Sequence, residues 1–317
     1  MDKILSKDPL FVVNPKSNCA VCGGERRRRK SCKACRGTGF TPIDLSGLWA
    51  PSPGFLVCGG PSLNDIPKEK LRERGIVSLA VNNSAGHVPV SAWVFGDPQQ
   101  KFHHGMHLDP KCLTFAPNGK LRKRINIKTP QGKFRATDIC LKDCPGIFGF
   151  SRSTYFDKNT FLTDPSAHWG PGGKMTQREF TLLDTMFLGL RLLHYLGCPR
   201  VYMLGVDFNM TTESPYAFGQ KKGGRNGRYG KTNKLLRDLR PIFEKDNFFV
   251  YNCNPNSKCD AFDYVPFEKA YLDCKGGIPP EPFDLSEWYE KSIAISHIIE
   301  NPAVMSYEEV HKHLLNN

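Results

Sequence analysis

The sequence predicts an α/β fold: a Rossmann-like, mostly parallel sheet flanked by helices, with a small cysteine-rich ribbon at its N-terminal end. Three observations carry this. Short apolar runs end one after another in glycine, asparagine or aspartate. One long segment has helical periodicity. Two Cys-x-x-Cys pairs lie close together near the start of the chain.

The strand runs are residues 55–58, ending at Gly59-Gly60; 77–81, ending at Asn82-Asn83; 92–95, ending at Gly96-Asp97-Pro98; 200–204, ending at Gly205-Val206-Asp207; and 248–251, ending at Asn252. Polar residues gather where these runs stop, the edge at which open α/β sheets bind ligands. The long helix is expected over 176–196. Leu183, Met186, Phe187, Leu190, Leu193 and Leu196 recur at three- and four-residue spacing as a core face, and Gly197 and Pro199 stop it.

The chain has 317 residues, 39% of them hydrophobic, enough for one large domain with a small appendage. Character changes along it predict a zinc-binding ribbon at 1–48, a catalytic α/β domain at 49–274, and a helical tail at 275–317 opened by Gly276-Gly277-Ile278-Pro279-Pro280. Forty-four basic against 31 acidic residues give +13, which fits either a cationic surface or a polyanionic partner. No apolar run reaches the roughly 18 residues of a membrane span, and residues 1–15 lack a secretory pattern. Twelve cysteines without such a signal imply a reducing, cytoplasmic setting and point to metal ligation or buried thiols.

Cys19, Cys22, Cys32 and Cys35 supply two thiolates per pair, so four soft ligands close a tetrahedron around structural zinc. The glycines after each pair resemble those of DnaJ-type zinc ribbons, a likeness confined to the staple. Between the pairs, Arg26-Arg27-Arg28-Arg29-Lys30 reads as a solvated tip or a phosphate-gripping finger. Two further basic stretches lie at Lys120–Arg135 and Lys221–Arg237, the second glycine-rich and expected to be mobile. Together the three favour a nucleic-acid partner, DNA.

Cys58-Gly59-Gly60-Pro61-Ser62-Leu63-Asn64 leaves the first predicted strand directly. Glycine lets backbone approach a phosphate, and Ser62 or Asn64 can cap a following helix whose amides favour an anion. Gly59-Gly60-Pro61-Ser62-Leu63 resembles the Gly-x-Gly-Pro-Ser-Leu opening of the bacterial lipooligosaccharide sialyltransferases, a GT-A-like family. Leu196-Gly197, Val201–Phe208, Tyr216-Ala217-Phe218 and Val250–Ser257 resemble later blocks of that family in the same order.

The resemblance implies a nucleotide-sugar donor held by Gly59, Gly60, Ser62 and Asn82, with Thr185, Asn256 and Ser257 near the nucleotide. It also implies metal-independent transfer, in keeping with the lack of an Asp-x-Asp motif. The family's catalytic histidine has no counterpart near Tyr229-Gly230-Lys231. Either the reaction differs or another general base activates the acceptor, with Asp97, Asp207 and His168, each at a strand end or glycine-rich loop, as the candidates. His103, His104 and His107 read as a surface cluster, with metal binding as the rival. Cys112, Cys140 and Cys144 fit a metal site poorly. Tyr155, Phe156 and Phe161 read as core or as a base-stacking loop.

The resulting expectation is a glycosyltransferase acting on a hydroxyl acceptor, a hydroxymethylated base in viral DNA. Two alternatives stand beside it: pyrophosphoryl transfer to a small molecule, and a non-catalytic zinc-containing nucleic-acid-binding protein on a degenerate transferase fold.

Overall fold

In the computed structural model the described residues are 12–128, 133–151, 158–163, 185–209, 216–219, 226–276 and 290–296. Their centre is a nine-stranded sheet and their satellite a two-stranded one. The strands are β1 (Val12–Asn18), β2 (Phe40–Ile43), β3 (Gly54–Val57), β4 (Val77–Val81), β5 (Ala92–Val94), β6 (Leu113–Pro117), β7 (Arg124–Lys128), β8 (Phe134–Cys140), β9 (Ile147–Phe150), β10 (Arg200–Leu204) and β11 (Phe249–Asn252).

The large sheet runs β11-β10-β3-β4-β5-β6-β9-β1-β2. From β11 to β9 every pairing is parallel; β1 runs antiparallel to both β9 and β2. The chain starts this parallel array at β3, winds outward through β4, β5, β6 and β9, then returns to lay β10 and β11 on the other side of β3. The strand order therefore reverses between β3 and β10, and the carboxyl ends of those strands form the crevice of a doubly wound sheet.

The central strands are buried on both faces, as their unbroken apolar runs require. On one face lie α2 (Thr185–Tyr195) and α3 (Asn226–Lys245). Leu190, Leu193, Leu236, Leu239 and Phe243 pack there with Leu56, Leu79 and Val94. Gly189 lets α2 come close, because a Cβ there would stand 2.6 Å from Leu56 Cδ1. The helix ends where the sequence places its stop: Gly197 has φ +94°, and Cys198 N–H donates to Leu193 O at 3.0 Å.

The opposite face is covered differently. The connections β3–β4, β4–β5 and β5–β6 are single-turn 3-10 segments, and the β7–β8 hairpin, α4 (Phe267–Lys275) and residues 290–296 complete the layer. No described helix is long and apolar enough to cross a membrane.

Several expectations shift. Of the glycine-rich basic stretch, residues 221–225 lie outside the described residues, while 226–245 form a 20-residue helix rather than a mobile loop, with Thr232, Leu236, Leu239 and Phe243 as its buried stripe. The boundary at residue 48 does not separate two sheets, since β1 and β2 are the last two strands of the main one, with β2 at its edge. The cysteine segment is an insertion between them, with α1 (Arg26–Arg29) inside it. His107 is not on the surface: it is 1% exposed, in an aromatic nest with ring centroids 5.1 Å from Trp93 and 5.7 Å from Phe95. Phe161 is core, against Phe187 and Phe243, whereas Tyr155 and Phe156 lie outside the described residues.

Candidate functional site

A cleft opens at the reversal point, in front of the carboxyl ends of β3, β4 and β10. Gly59, Gly60, Asn82, Asp97, Thr185 and Asp207 all line it. These residues were singled out from five separate segments, and the fold brings them together.

The glycine loop is shaped first by its neighbours. Cys58 N–H donates to Leu204 O, and Gly60 N–H to Gly205 O, both at 2.8 Å, so the tips of β3 and β10 are stitched together beyond the strands themselves. A Cβ on Gly60 would lie 2.6 Å from Gly205 O and collide with the Asp207 carboxylate. Gly205 has φ +65°, and its own Cβ would stand 2.5 Å from Cys58 O. Gly59 faces side chains rather than the sheet: a Cβ there would meet the Phe218 ring at 2.9 Å and the Tyr216 ring at 3.4 Å.

The segment after the loop is a five-residue 3-10 turn, Pro61–Asp65, with no side-chain cap. The expected helix N-terminus is therefore not there. Ser62 does other work: its N–H donates to Asp207 Oδ2 at 2.9 Å, and its hydroxyl donates to Asp207 Oδ1. Asn254 Nδ2 donates to the same carboxylate at 2.6 Å. Asp207 is 9% exposed and thus satisfied by three donors, which makes it a brace between β3, β10 and the turn after β11.

Ser257 belongs to that brace, donating to Val206 O at 2.6 Å and accepting from Cys259 N at 3.0 Å. Asn256, exposed on the same turn, and Ser257 both lie outside the cleft lining.

Across the cleft, Asn82 has φ +50° and three polar ties. Its Nδ2 donates to Thr185 Oγ1 at 3.1 Å, its Oδ1 accepts from Gly96 N at 3.4 Å, and its carbonyl accepts from Trp93 Nε1 at 2.8 Å. Asp97 follows Gly96. Its Oδ2 is 3.3 Å from Lys101 Nζ, while Lys120 Nζ donates to the carbonyls of Gly96 and Asp97. Of the three candidate bases, Asp97 is the cleft carboxylate whose protein partner is a single half-exposed lysine. His168 lies outside the described residues.

Aromatic residues to which the sequence assigned no role, Phe208, Tyr216 and Phe218 among the blocks quoted for resemblance, roof the cleft. Phe208, at φ +52°, stacks on Tyr229 with centroids 4.9 Å apart and planes 4° from parallel. Tyr216 stacks on Phe218 at 5.5 Å, and Ala217 N–H donates to Gly59 O at 3.0 Å, so that segment crosses the glycine loop. His87, also missed, packs on Phe218 at 5.6 Å and lies 2.8 Å from Lys68 Nζ; burial, then the Lys68 charge, lowers its pKa.

The cysteine module is a separate construction. Cys19, Cys22, Cys32 and Cys35 are buried, with all four Sγ atoms within 4.8 Å of one another. Cys19 to Cys32 is 3.9 Å and Cys22 to Cys35 is 3.7 Å. A tetrahedron with zinc–sulfur bonds of about 2.3 Å has edges of about 3.8 Å, so the set is compatible with zinc. Those separations exclude disulfides, whose sulfurs are about 2.05 Å apart. Gly23, Gly24, Gly37 and Gly39 all have positive φ, and Gly39 N–H donates to Cys35 Sγ at 3.2 Å. The other cysteines form no such group among the described residues; burial pushes Cys112 up to about 12 and also raises Cys144 and Cys140.

The fold and cleft define a doubly wound α/β protein with a ligand crevice at its strand-order reversal. No family model matches the chain, and no curated protein matches it. Among solved structures, the sialyltransferase CstII from Campylobacter jejuni in complex with the substrate analogue CMP-3FNeuAc aligns with 76% of this chain and 98% of its own, at 15% identity and a TM-score of 0.33. Its complex with cytidine-5'-monophosphate gives the same figures. The MAf glycosyltransferase from Magnetospirillum magneticum AMB-1 aligns over 77% of this chain and 38% of its own, at 11% identity and a TM-score of 0.33.

Proposed function

We propose that this protein is a glycosyltransferase that seats a nucleotide-sugar in the reversal-point cleft and moves its sugar to a hydroxyl acceptor. The observation that carries this is the convergence of Gly59, Gly60, Asn82 and Thr185 on one cleft with Asp97 at its rim. Gly59 and Gly60 stand in the block that resembles a nucleotide-binding loop, and the same resemblance implies roles at Asn82 and Thr185. Gly59 lines the cleft without a side chain, which lets backbone come close to a phosphate, and the stacked Phe208–Tyr229 pair offers an apolar wall.

Asp97 takes the proton of the acceptor hydroxyl as the new carbon–oxygen bond forms. The bond from the sugar to the nucleotide phosphate breaks, and its electron pair leaves on the phosphate oxygen. Lys101, 3.3 Å from Asp97, supplies a counter-charge. Transfer without a metal is part of this proposal, in keeping with the lack of an Asp-x-Asp motif in the sequence. The four thiols hold zinc as a structural staple, which would fix the backbone of residues 19–39.

The acceptor we favour is a hydroxymethylated base in DNA, because a +13 chain suits a polyanion. In this reading the cysteine module would not touch the acceptor base itself. From β3 to β1 is five steps along the sheet, roughly 24 Å at ~4.8 Å per step. The module would instead anchor the polymer some distance from the chemistry.

Incubation with CMP-, UDP- and GDP-sugars and hydroxymethylated DNA, digestion to nucleosides and mass spectrometry tests both halves. A nucleoside heavier by one sugar supports them. Nucleotide-sugar binding without any mass shift would remove the DNA acceptor and leave the donor site.

A further inference from the structure

Phe208 stands at a backbone angle that its side chain disfavours. Its φ is +52°, in the left-handed region where a Cβ crowds the following carbonyl oxygen. Glycine and asparagine enter that region readily, whereas a bulky aromatic residue there is an outlier. The chain before it fixes the angle. Gly205, at φ +65°, turns the backbone out of β10, and the Asp207 carboxylate is held by Ser62 and Asn254. Lys258 N–H donates to the Asp207 carbonyl at 2.9 Å, on the peptide bond that leads into Phe208. Backbone strain of this kind gathers at ligand sites, where the surrounding structure holds it in place.

At this angle the Phe208 ring lies on Tyr229, from the first turn of α3, with planes only 4° apart. The stacked pairs Phe115–Phe148 and Phe243–Phe262 are sealed in the core. Phe208 and Tyr229 are instead half-buried and both line the cleft, so aromatic surface is left open to its contents. The Tyr216–Phe218 pair comes from the opposite layer: Phe208 packs with the α2–α3 core, and Ala217 with the core under the 3-10 segments. The glycine loop lies between them, since a Cβ on Gly59 would meet Phe218 and one on Gly60 would meet Asp207.

We propose that the Phe208–Tyr229 pair is a stacking platform for a nucleobase. A flat guest extends a parallel stack and gains contact over a whole ring face, whereas a puckered sugar touches it through a few C–H groups. Stacking of this kind accepts any base, because every base has a π-face. The inference rests on the reading of this cleft as the substrate cleft, and adds which part of the substrate the aromatic wall takes. The base belongs either to the donor nucleotide or to the acceptor, and two arms of one experiment separate these sources.

Calorimetric titration of CMP, UMP, GMP and ribose 5-phosphate into the full chain reads the donor arm. Fluorescence anisotropy of a labelled single-stranded oligonucleotide, with one hydroxymethylcytosine or an abasic site at the same position, reads the acceptor arm. In one arm Tyr229→Leu should weaken the base-bearing ligand by about 10-fold or more and leave its base-free counterpart unchanged. Phe208→Leu should do the same, and Tyr229→Phe, which keeps the ring, should bind like the parent. Phe249→Leu, exposed on β11 outside the cleft, should change neither arm. The proposal is overturned if Tyr229→Leu and Phe208→Leu lose base-bearing and base-free ligands alike or lose neither. It is overturned as well if Tyr229→Phe loses as much as Tyr229→Leu, or if the parent binds no base-bearing ligand. Nucleotide binding with no ring-dependent loss in either arm would remove the platform and leave the donor site. A ring-dependent loss in the acceptor arm, with no nucleotide bound by the parent, would remove the donor site and leave the platform.

Discussion

Asn82 Nδ2 donates to Thr185 Oγ1 at 3.1 Å, joining the end of β4 to the start of α2 across the floor of the cleft. Asn82 sits in the left-handed region, where asparagine and glycine are tolerated and a Cβ without polar compensation is not. Asn82→Gly should lose the side-chain bonds and keep the backbone. Asn82→Ala should lose both, and be less stable than Asn82→Gly by about 1 kcal/mol in chemical denaturation. Both should weaken nucleotide binding.

Gly59 and Gly60 are adjacent and should respond oppositely. Gly60→Ala pushes a methyl group into Asp207 and Gly205 O, both held by the sheet, and should cost about 3 kcal/mol of stability. Gly59→Ala meets the Phe218 and Tyr216 rings, side-chain ends that can give where the backbone around Gly60 cannot. It should fold with a near-parental melting temperature and bind nucleotide more weakly, which thermal melts and calorimetric titration would separate.

Asp97 and Asp207 divide in the same way. Asp207 answers three donors, so Asp207→Asn leaves amide hydrogens facing Ser62 and Asn254 and should cost about 2–4 kcal/mol. Asp97→Asn should melt like the parent, bind donor like the parent, and lose turnover by at least about 100-fold, the usual contribution of a general base.

How much of this was readable from the sequence follows from local signal strength. The five strands named in advance are continuous apolar runs ended by turn residues, and each appears. β6 and β9 were missed because each is a short run shortened further by Pro117 or Gly149. Gly149 is there because a Cβ would crowd Leu121 at 2.6 Å, a tertiary reason no window of sequence contains. In α3 the charged and glycine residues masked a buried stripe set by Thr232, Leu236, Leu239 and Phe243. The four cysteines needed only their spacing. The cleft residues were legible as strand ends, but that Asp207 is a brace and Asp97 is not depends on partners far along the chain, such as Asn254. His87 carried no signal, since its place beside Phe218 comes from a fold-back.

His194 gives a pH-dependent term. Its Nε2 is 2.6 Å from Asp246 Oδ2 and its ring packs on Phe248 at 5.1 Å. Burial outweighs Asp246 and lowers its pKa below the ordinary value of 6.5. The unfolded chain therefore takes up this proton first. The contribution is complete above about pH 6.5 and is lost as pH falls from there through the folded value. Stability of the parent should fall more steeply below about pH 6.5 than that of His194→Gln, measured as denaturation midpoints.

The cysteine module should contain one zinc per chain by elemental analysis of protein purified without added metal. Cys35→Ser should abolish it and unsettle β1 and β2, read as faster amide exchange in residues 12–43, while β3, β4 and β10 keep their protection.

Calorimetric titration of CMP-, UDP- and GDP-sugars into the parent and Gly59→Ala probes the donor cleft most directly. At least one nucleotide should bind the parent with unit stoichiometry and bind the folded variant more weakly. No heat from any nucleotide, or equal affinity in parent and variant, would contradict the assignment of the cleft beside Gly59 as the donor site.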